Sequence, residues 1–300
     1  MRILFLGAGA TGGYFGGRLT SAGRDVTFLV RPPRAARLAE RGLRIKAPDG
    51  ETVVTPRVIT EPDGPYDLVV IAVKSYALEA ALTDLLPAVG PRTVVIPLLN
   101  GIRHIESLVR RFGADRAWGG VCMIHATLDE DGDVVQLSGL HRLSFGPLHG
   151  DDERLVTVTD TLSGAGFDAR ASTAIVQELW DKWVLLATLG AATTLMRGPI
   201  GAINKAPGGP AFLHALAAET SAVAEAAGHP IRGKAAAMLE AGIVTTEATT
   251  SSMYRDLTRG LPVEAGAIIG DLVAEAERHQ VSVPLLTAAH TGLAIYQQTL

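Results

Sequence analysis

The first seventeen residues, MRILFLGAGATGGYFGG, constrain this chain more than any other stretch. Ile3, Leu4, Phe5 and Leu6 form a short apolar run bounded by glycine, the pattern of a parallel strand buried on both faces. Gly7, Gly9 and Gly12 follow at G-x-G-x-x-G spacing, and the residues after them predict a helix from Ala10 to Ala22, stopped by Gly23. In such a strand, turn and helix, the first glycine permits the tight turn and the second lets the backbone approach a pyrophosphate. The third lets the helix pack closely on the strand. The unpaired N–H groups of the helix add a ready anion site. With 33 glycines in the chain such a spacing can arise by chance. The strand before it and the helix after it favour dinucleotide binding over an ordinary tight turn.

A chain of 300 residues can hold one large or two ordinary domains with a sizeable core. Its formal net charge of −4, with no basic run, gives no reason to expect nucleic acid or an anionic membrane as partner. Cys122 is the only cysteine, which excludes an internal disulfide and leaves no cysteine cluster for zinc. No metal-ligand spacing appears elsewhere, so no metal site is expected. The N-terminus enters a strand directly, without the apolar core of a secretory signal. The longest uncharged apolar stretch, Trp183 to Met196, is shorter than the roughly 20 residues of a membrane span. These features predict a soluble, cytoplasmic protein.

Further along, the second strand, Asp25 to Val30, ends at Arg31. An acidic residue near this point binds the ribose of NAD, whereas an arginine accommodates the 2′-phosphate of NADP. Arg31 and Arg34 therefore point to NADP(H), although Arg34 reads equally well as a solvated loop arginine. Arg34 to Arg41 reads as helix, and Leu43 to Lys46 and Thr52 to Ile59 as short strands around the turn Pro48-Asp49-Gly50. Asp67 to Val73 is a continuous buried strand ending at Lys74. A helix near Leu78 to Leu86 leads to another such strand, Thr93 to Leu99, ending in Asn100-Gly101. Ligands of open parallel sheets bind beyond the carboxyl ends of the strands, where Arg31, Lys74 and Asn100 all fall. Singly, Lys74 reads as a loop cation and Asn100 as a turn residue. Trp118 to Leu128 and Asp133 to Phe145 predict a hairpin, on which His125 is given no role.

From Ala171 onward the composition turns to alanine-rich helix, which sets the expected domains at residues 1–170 and 171–300. In the first long helix, Ser172 to Met196, Lys182 shares the i, i+4, i+7 stripe of Ile175, Leu179 and Leu186. A lysine on a buried stripe needs a partner or loses its charge, so Lys182 is the foremost candidate for a chemically active amine. Phe212 to Ala227 and Lys234 to Thr246 also read as helices. Taken locally, Ser251 or Ser252 is an N-cap and Glu264 a first-turn acid favoured by the helix dipole.

The combination of GAGATG at Gly7 to Gly12, FLVR ending at Arg31, AVK ending at Lys74, LLNG around Asn100, ELWDKW around Lys182, TSSM ending at Met253 and GLPVE ending at Glu264 resembles the ketopantoate reductases. The resemblance runs nearly end to end. It implies an α/β fold with an N-terminal, doubly wound Rossmann-type sheet that binds NADP(H). It also implies an all-α C-terminal domain like that of 6-phosphogluconate dehydrogenase. By this resemblance Gly7, Ala8, Gly9, Ala10, Thr11, Gly12 and Arg31 hold the diphosphate and 2′-phosphate, and Lys74, Asn100 and Ala126 line the nicotinamide side. Lys182 matches the proton-donating lysine and Ser252 a substrate-binding serine. Glu264 matches an acid near both that lysine and the cofactor, and Asn100 orients the reacting groups.

The chain departs from the family pattern where that pattern binds substrate. Asparagines expected along the lysine helix are Leu186 and Gly190, a further one is Ile200, and an acid and asparagine after the glutamate are Gly266 and Ile269. The cofactor half is retained and the substrate half rewritten. Arg197, at the far end of the lysine helix, has two readings: a bidentate partner for a substrate carboxylate, or a solvated helix-end cation. The resemblance implies hydride transfer from NADPH to a 2-oxo acid or related carbonyl compound at the seam of the two domains. Its nearest rival is 2-dehydropantoate 2-reductase activity in pantothenate biosynthesis, with Thr193, Thr194 or Arg197 as substitute donors. A non-catalytic NADPH-binding regulator is the rival of another class, and retention of Lys182 and Glu264 speaks against it. The apolar faces of the C-terminal helices make a homodimer the expected way of covering them.

Overall fold

A computed structural model describes residues 1–300, which divide into two compact units: residues 1–99 with 104–176, and residues 100–103 with 177–300. In the first, β1 (Arg2–Leu6), β2 (Asp25–Leu29), β5 (Arg57–Ile59), β6 (Tyr66–Ile71) and β7 (Val89–Pro97) form an all-parallel sheet in the order β5-β2-β1-β6-β7. Its helical connections include α1 (Ala10–Ser21), α2 (Pro32–Arg41) and α3 (Leu78–Asp84). Counted within the sheet this is the 3-2-1-4-5 order of a dinucleotide-binding fold. Ile3 and Phe5 enter one buried cluster and Leu4 and Leu6 another, so β1 is covered on both faces as its unbroken apolar run requires.

β3 (Leu43–Ala47), β4 (Gly50–Val54), β8 (Trp118–Leu128), β9 (Val134–Pro147) and β10 (Asp168–Ala171) make a second, mixed sheet ordered β10-β9-β3-β4, with β8 antiparallel to β9. It lies over α1, whose glycines make the close approach possible. A Cβ at Gly13 would lie 2.9 Å from Val134 Cγ2, and one at Gly17 would lie 2.7 Å from Ile45 Cδ1. Leu43, Ile45, Val134, Leu143 and Phe145 therefore join Ile3, Phe5, Tyr14 and Phe15 in one core. β8 begins beside β7, through a parallel bridge from Ala117 to Val95.

Several elements differ from expectation. β6 stops at Ile71 and β7 at Pro97, each two residues short of the apolar run that announced it; Ala72 and Leu98 still donate to the Leu6 and Ile71 carbonyls of the neighbouring strands as the last rungs of the ladder. The helices α4 (His104–Phe112) and α5 (Arg154–Leu162) were not anticipated; both are short and mixed in polarity.

The second unit is helical: α6 (Ile175–Leu195), α7 (Ile200–Lys205), α8 (Gly209–Ala226), α9 (Gly233–Val244), α10 (Ser252–Thr258), α11 (Asp271–Arg278) and α12 (Pro284–Gln298). α6 is its axis and is buried on most sides, which its near-continuous apolar sequence allows. A buried hydrogen bond of 2.7 Å between the hydroxyls of Thr188 and Thr220 couples α6 to α8. A single π-helical turn, Gly266–Gly270, runs directly into α11. No helix is long and apolar enough to cross a membrane.

Candidate active site

The glycine turn has the local geometry its spacing implies. Gly7 has φ +100°, a conformation costly for any residue with a Cβ. A Cβ on Gly12 would fall 2.3 Å from the Gly7 carbonyl oxygen and 2.8 Å from Ala72 Cβ, so α1 presses directly on the turn and on the segment after β6. Gly9 is the opposite case, since a Cβ there would meet nothing within 4 Å. Gly9 caps α1 without a side-chain hydrogen bond, and no acidic residue occupies the first turn around Ala10 and Thr11. The positive end of the helix is thus left to an incoming anion, and open space lies where Gly9 has no side chain. These residues fit the diphosphate of a dinucleotide.

Arg31 stands exposed just past β2, at the N-cap of α2. Arg34 is otherwise engaged. Its Nε donates to the Ala8 carbonyl at 3.1 Å and its Nη1 to the Gly132 carbonyl at 2.9 Å, and burial, with Arg37 beside it, holds its pKa below the usual arginine range. It braces the glycine loop against the β8–β9 turn, so the solvated-loop reading does not describe it. That turn is fixed from its other side by Lys46, which pairs with Asp129 at 2.8 Å and Asp133 at 3.1 Å. β8 therefore runs from beside β7, where Cys122 lies against the Leu98 carbonyl, to beside the glycine loop. Half-buried Ala126 lies on this crossing, next to a break in register at His125. Lys74 is exposed past the end of β6.

In the helical unit the chain neighbours of Lys182 and Asn100 meet at the π turn. Glu264, 7 % exposed, lies two residues before it, and the Glu264 carbonyl accepts the Ile268 N–H at 3.1 Å. Trp183, the neighbour of Lys182 on α6, donates its indole N–H to the Ile268 carbonyl at 2.8 Å. Gly101, the neighbour of half-buried Asn100, has φ +80° and sits so close that a Cβ would lie 2.4 Å from the Ala267 carbonyl oxygen. Arg103 adds an ion pair to Asp271 at 3.3 Å. The chain neighbours of Lys182 and Asn100 thus rest on consecutive carbonyls of the turn that follows Glu264. Lys182 is half-buried, on the least covered strip of α6, while Trp180, Trp183, Val184, Ala187 and Thr188 are buried. A lysine head reaches its surroundings from such a strip while its stem stays packed.

Ser251, rather than Ser252, is the N-cap of α10: its hydroxyl accepts the Tyr254 N–H at 3.0 Å and bonds the Thr193 hydroxyl at 2.8 Å, which fastens α10 to α6. Ser252 is left exposed in the first turn. A Cβ on Gly190 would strike Met253 Cε at 2.3 Å, so this methionine fills the place of a side chain at position 190. Leu186 is half-buried, and Ile200 and Ile269 are fully buried. The substitute donors are not available: the buried hydroxyls of Thr193 and Thr194 each donate at 2.7 Å to a carbonyl of their own helix. Arg197 is not brought to Lys182. It lies exposed beyond the end of α6 with φ +55°, about 22 Å along the axis from Lys182 at 1.5 Å per residue, where it terminates the helix.

Comparisons with known proteins identify the family. The family described as ketopantoate reductase PanE/ApbA matches residues 3–150, and its C-terminal domain matches residues 174–297. The chain belongs to the ketopantoate reductase family. A relative from Bacillus subtilis named as the uncharacterized oxidoreductase YkpB is 34% identical over 99% of both chains. The 2-dehydropantoate 2-reductase of Halobacterium salinarum is 30% identical over 95% of both. A crystal structure of 2-dehydropantoate 2-reductase from Geobacter metallireducens superposes with a TM-score of 0.88 at 28% identity, covering 100% of each chain. D-mandelate dehydrogenase, solved with NADH and anilino(oxo)acetate, shares the fold with a TM-score of 0.88 at 21% identity over 100% of this chain and 99% of that one. As a ketopantoate reductase family member the chain is an NADP-dependent oxidoreductase, with the Rossmann-type and helical domains of that family.

The sequence reading passed over Trp183 and the π turn. Trp183 stood in the ELWDKW segment without a role, and nothing in GAIIG distinguishes a π turn from an α turn. Just before Lys182, a further cluster went unnoticed: Gln177 donates to Asp181 at 2.9 Å, and Trp180 stacks on His229 with centroids 5.3 Å apart. Burial pushes the Asp181 carboxyl up and the His229 imidazole down from their ordinary values.

Proposed function

We propose that this chain reduces the carbonyl carbon of a 2-oxo acid or a related carbonyl compound with NADPH, and that Lys182 is the proton donor. The observation that supports this reading is that Trp183 and Gly101, the chain neighbours of Lys182 and Asn100, contact adjacent carbonyls of the one π turn that follows Glu264.

The residues Gly7 to Gly12 would hold the diphosphate, Arg31 the 2′-phosphate, and Lys74, Asn100 and Ala126 the nicotinamide side, with Glu264 also reaching the cofactor. When bound, the reduced nicotinamide supplies the hydride. As the carbonyl oxygen gains negative charge, the Lys182 ammonium stabilises it and gives it a proton. Asn100 orients the reacting groups, and Glu264 is the acid assigned beside the amine. Lys182 and Ser252 bind the substrate. Arg197 takes no part, because a small oxo acid cannot span the distance from it to Lys182.

Lys182→Ala is expected to lower kcat by roughly 10²–10⁴-fold while leaving NADPH affinity in place. Full turnover by this variant on a true substrate would end the proton-donor assignment. The substrate is read from NADPH oxidation across a panel of 2-oxo acids that includes 2-dehydropantoate. The apolar residues Leu186 and Met253, with the internally satisfied Thr193 and Thr194, favour an acid with an apolar substituent. The second reading, 2-dehydropantoate itself, is favoured by the 30% identity to the 2-dehydropantoate 2-reductase of Halobacterium salinarum. Preferential turnover of that compound would select it.

A further inference from the structure

We infer that Trp183 is a positioning residue for the reaction: its indole N–H sets the π turn Gly266–Gly270, which in turn sets Lys182, Glu264 and Asn100. The inference rests on the roles given above to those three residues, and it concerns how the chain holds them.

A π turn is rare because its widened ring packs less well than an α turn, and isolated examples need support from outside the helix. Here two supports are visible, on adjacent carbonyls. The Ile268 carbonyl takes the N–H of Trp183 at 2.8 Å, in a bond that is buried because Trp183 is only 2 % exposed. The Ala267 carbonyl has Gly101 pressed on it, at a separation no residue with a Cβ could keep. A third contact lies at the end of the turn, where a Cβ on Gly270 would fall 2.7 Å from His290 Nε2 of α12.

Each support is one residue from a reacting group. Successive side chains on a helix diverge by about 100°, so tying the indole of Trp183 to a fixed carbonyl fixes the rotation of α6 about its own axis, and with it the direction in which Lys182 leaves the helix. The loop after β7 is likewise registered by Gly101, which fixes Asn100. Glu264 is bonded through its own carbonyl to Ile268, the same residue that receives the indole. One turn therefore meters the separation of amine, carboxylate and amide. Its conformation depends on a donor that contributes no atom to the chemistry.

Trp183→Phe removes the N–H and keeps an aromatic ring of similar bulk. It is expected to lower kcat by about 10–100-fold, the loss that small misalignments of reacting groups produce, while the KM for NADPH, held mainly by Gly7 to Gly12 and Arg31, changes far less. Gly101→Ala, which pushes a methyl against the Ala267 carbonyl, is expected to give the same split and serves if the tryptophan variant folds poorly. Because both changes act through one turn, the double variant should lose much less than the product of the two single losses. Wild-type kcat in Trp183→Phe, a parallel change in KM for NADPH, or strictly multiplicative losses in the double variant would each overturn the inference. Lys182→Ala run beside them separates the two levels: if it retains turnover the roles themselves are wrong, and if it is inactive while Trp183→Phe is unaffected only the positioning inference falls.

Discussion

Gly9 and Gly12 belong to one motif yet should respond in opposite ways to the same methyl group. Gly12→Ala would place its Cβ 2.3 Å from the Gly7 carbonyl oxygen and 2.8 Å from Ala72 Cβ, both rigid parts of the fold. Overpacking of this kind costs about 1–3 kcal/mol or more, which lowers Tm by roughly 2–12 °C for a unit of this size. Gly9 has φ −78° and ψ −163°, ordinary extended backbone, with nothing within 4 Å of a Cβ. Gly9→Ala gains about 0.4–1 kcal/mol from a stiffer unfolded chain. It loses a comparable amount, roughly 0.5–1 kcal/mol, because alanine is a poorer N-cap than glycine. The two offset, so Tm should stay within about 2 °C of the parent. Its methyl instead enters the space proposed for the diphosphate, where about 1–3 kcal/mol of crowding weakens binding roughly 5–150-fold. NADPH and NADH should suffer alike, since both carry that group. Thermal melts without cofactor and fluorescence titrations with each nucleotide measure the two effects. A Gly9→Ala protein that binds NADPH as tightly as the parent, or that melts several degrees lower, would refute this assignment of the open space.

The two arginines after β2 should separate likewise. Arg31→Ala is expected to weaken NADPH far more than NADH with little change in Tm, whereas Arg34→Ala, losing bonds to Ala8 and Gly132, should lower Tm and weaken both nucleotides together. Comparable losses for both nucleotides in Arg31→Ala would remove its 2′-phosphate role. Burial raises the Asp181 pKa above its unfolded value, so its stabilising share is complete below the unfolded value and is lost as pH rises through the folded one. Asp181→Asn, which keeps an acceptor for Gln177, should therefore raise Tm near neutral pH and leave it little changed at about pH 4; melts across that range check the sign. Ser251→Ala removes both the cap of α10 and its bond to Thr193, and denaturant unfolding should show a loss of about 1–2 kcal/mol with NADPH affinity intact.

Much of the nucleotide-binding half was legible residue by residue, because its rules are local. An apolar run, three glycines at fixed spacing and a following helix specify conformations that depend on neighbours a few positions away, and Gly7, Gly9 and Gly12 adopt the geometry their spacing implies. Strand ends were less legible: Val73 and Leu99 continue the apolar pattern past the last ladder bonds, which Ala72 and Leu98 donate. The stripe containing Lys182 was also only partly legible. Periodicity places it with Ile175 and Leu179, which are buried, but α6 is covered from several sides at once and the lysine lies where that cover is thinnest. No count of apolar spacings reveals which side of a central helix is left open.

By itself the amino-acid sequence determined the strand, turn and helix at the N-terminus, the helical character of the second half and the choice of Lys182, Glu264 and Asn100 as candidates, since these follow from backbone preferences and recognisable residue combinations. Tertiary structure alone decided how they are held. The indole bond from Trp183 to Ile268, the pressing of Gly101 on Ala267 and the filling of position 190 by Met253 join residues distant along the chain. Such contacts come from the packing of whole elements, in which a carbonyl or a missing methyl matters only once another segment has been brought against it.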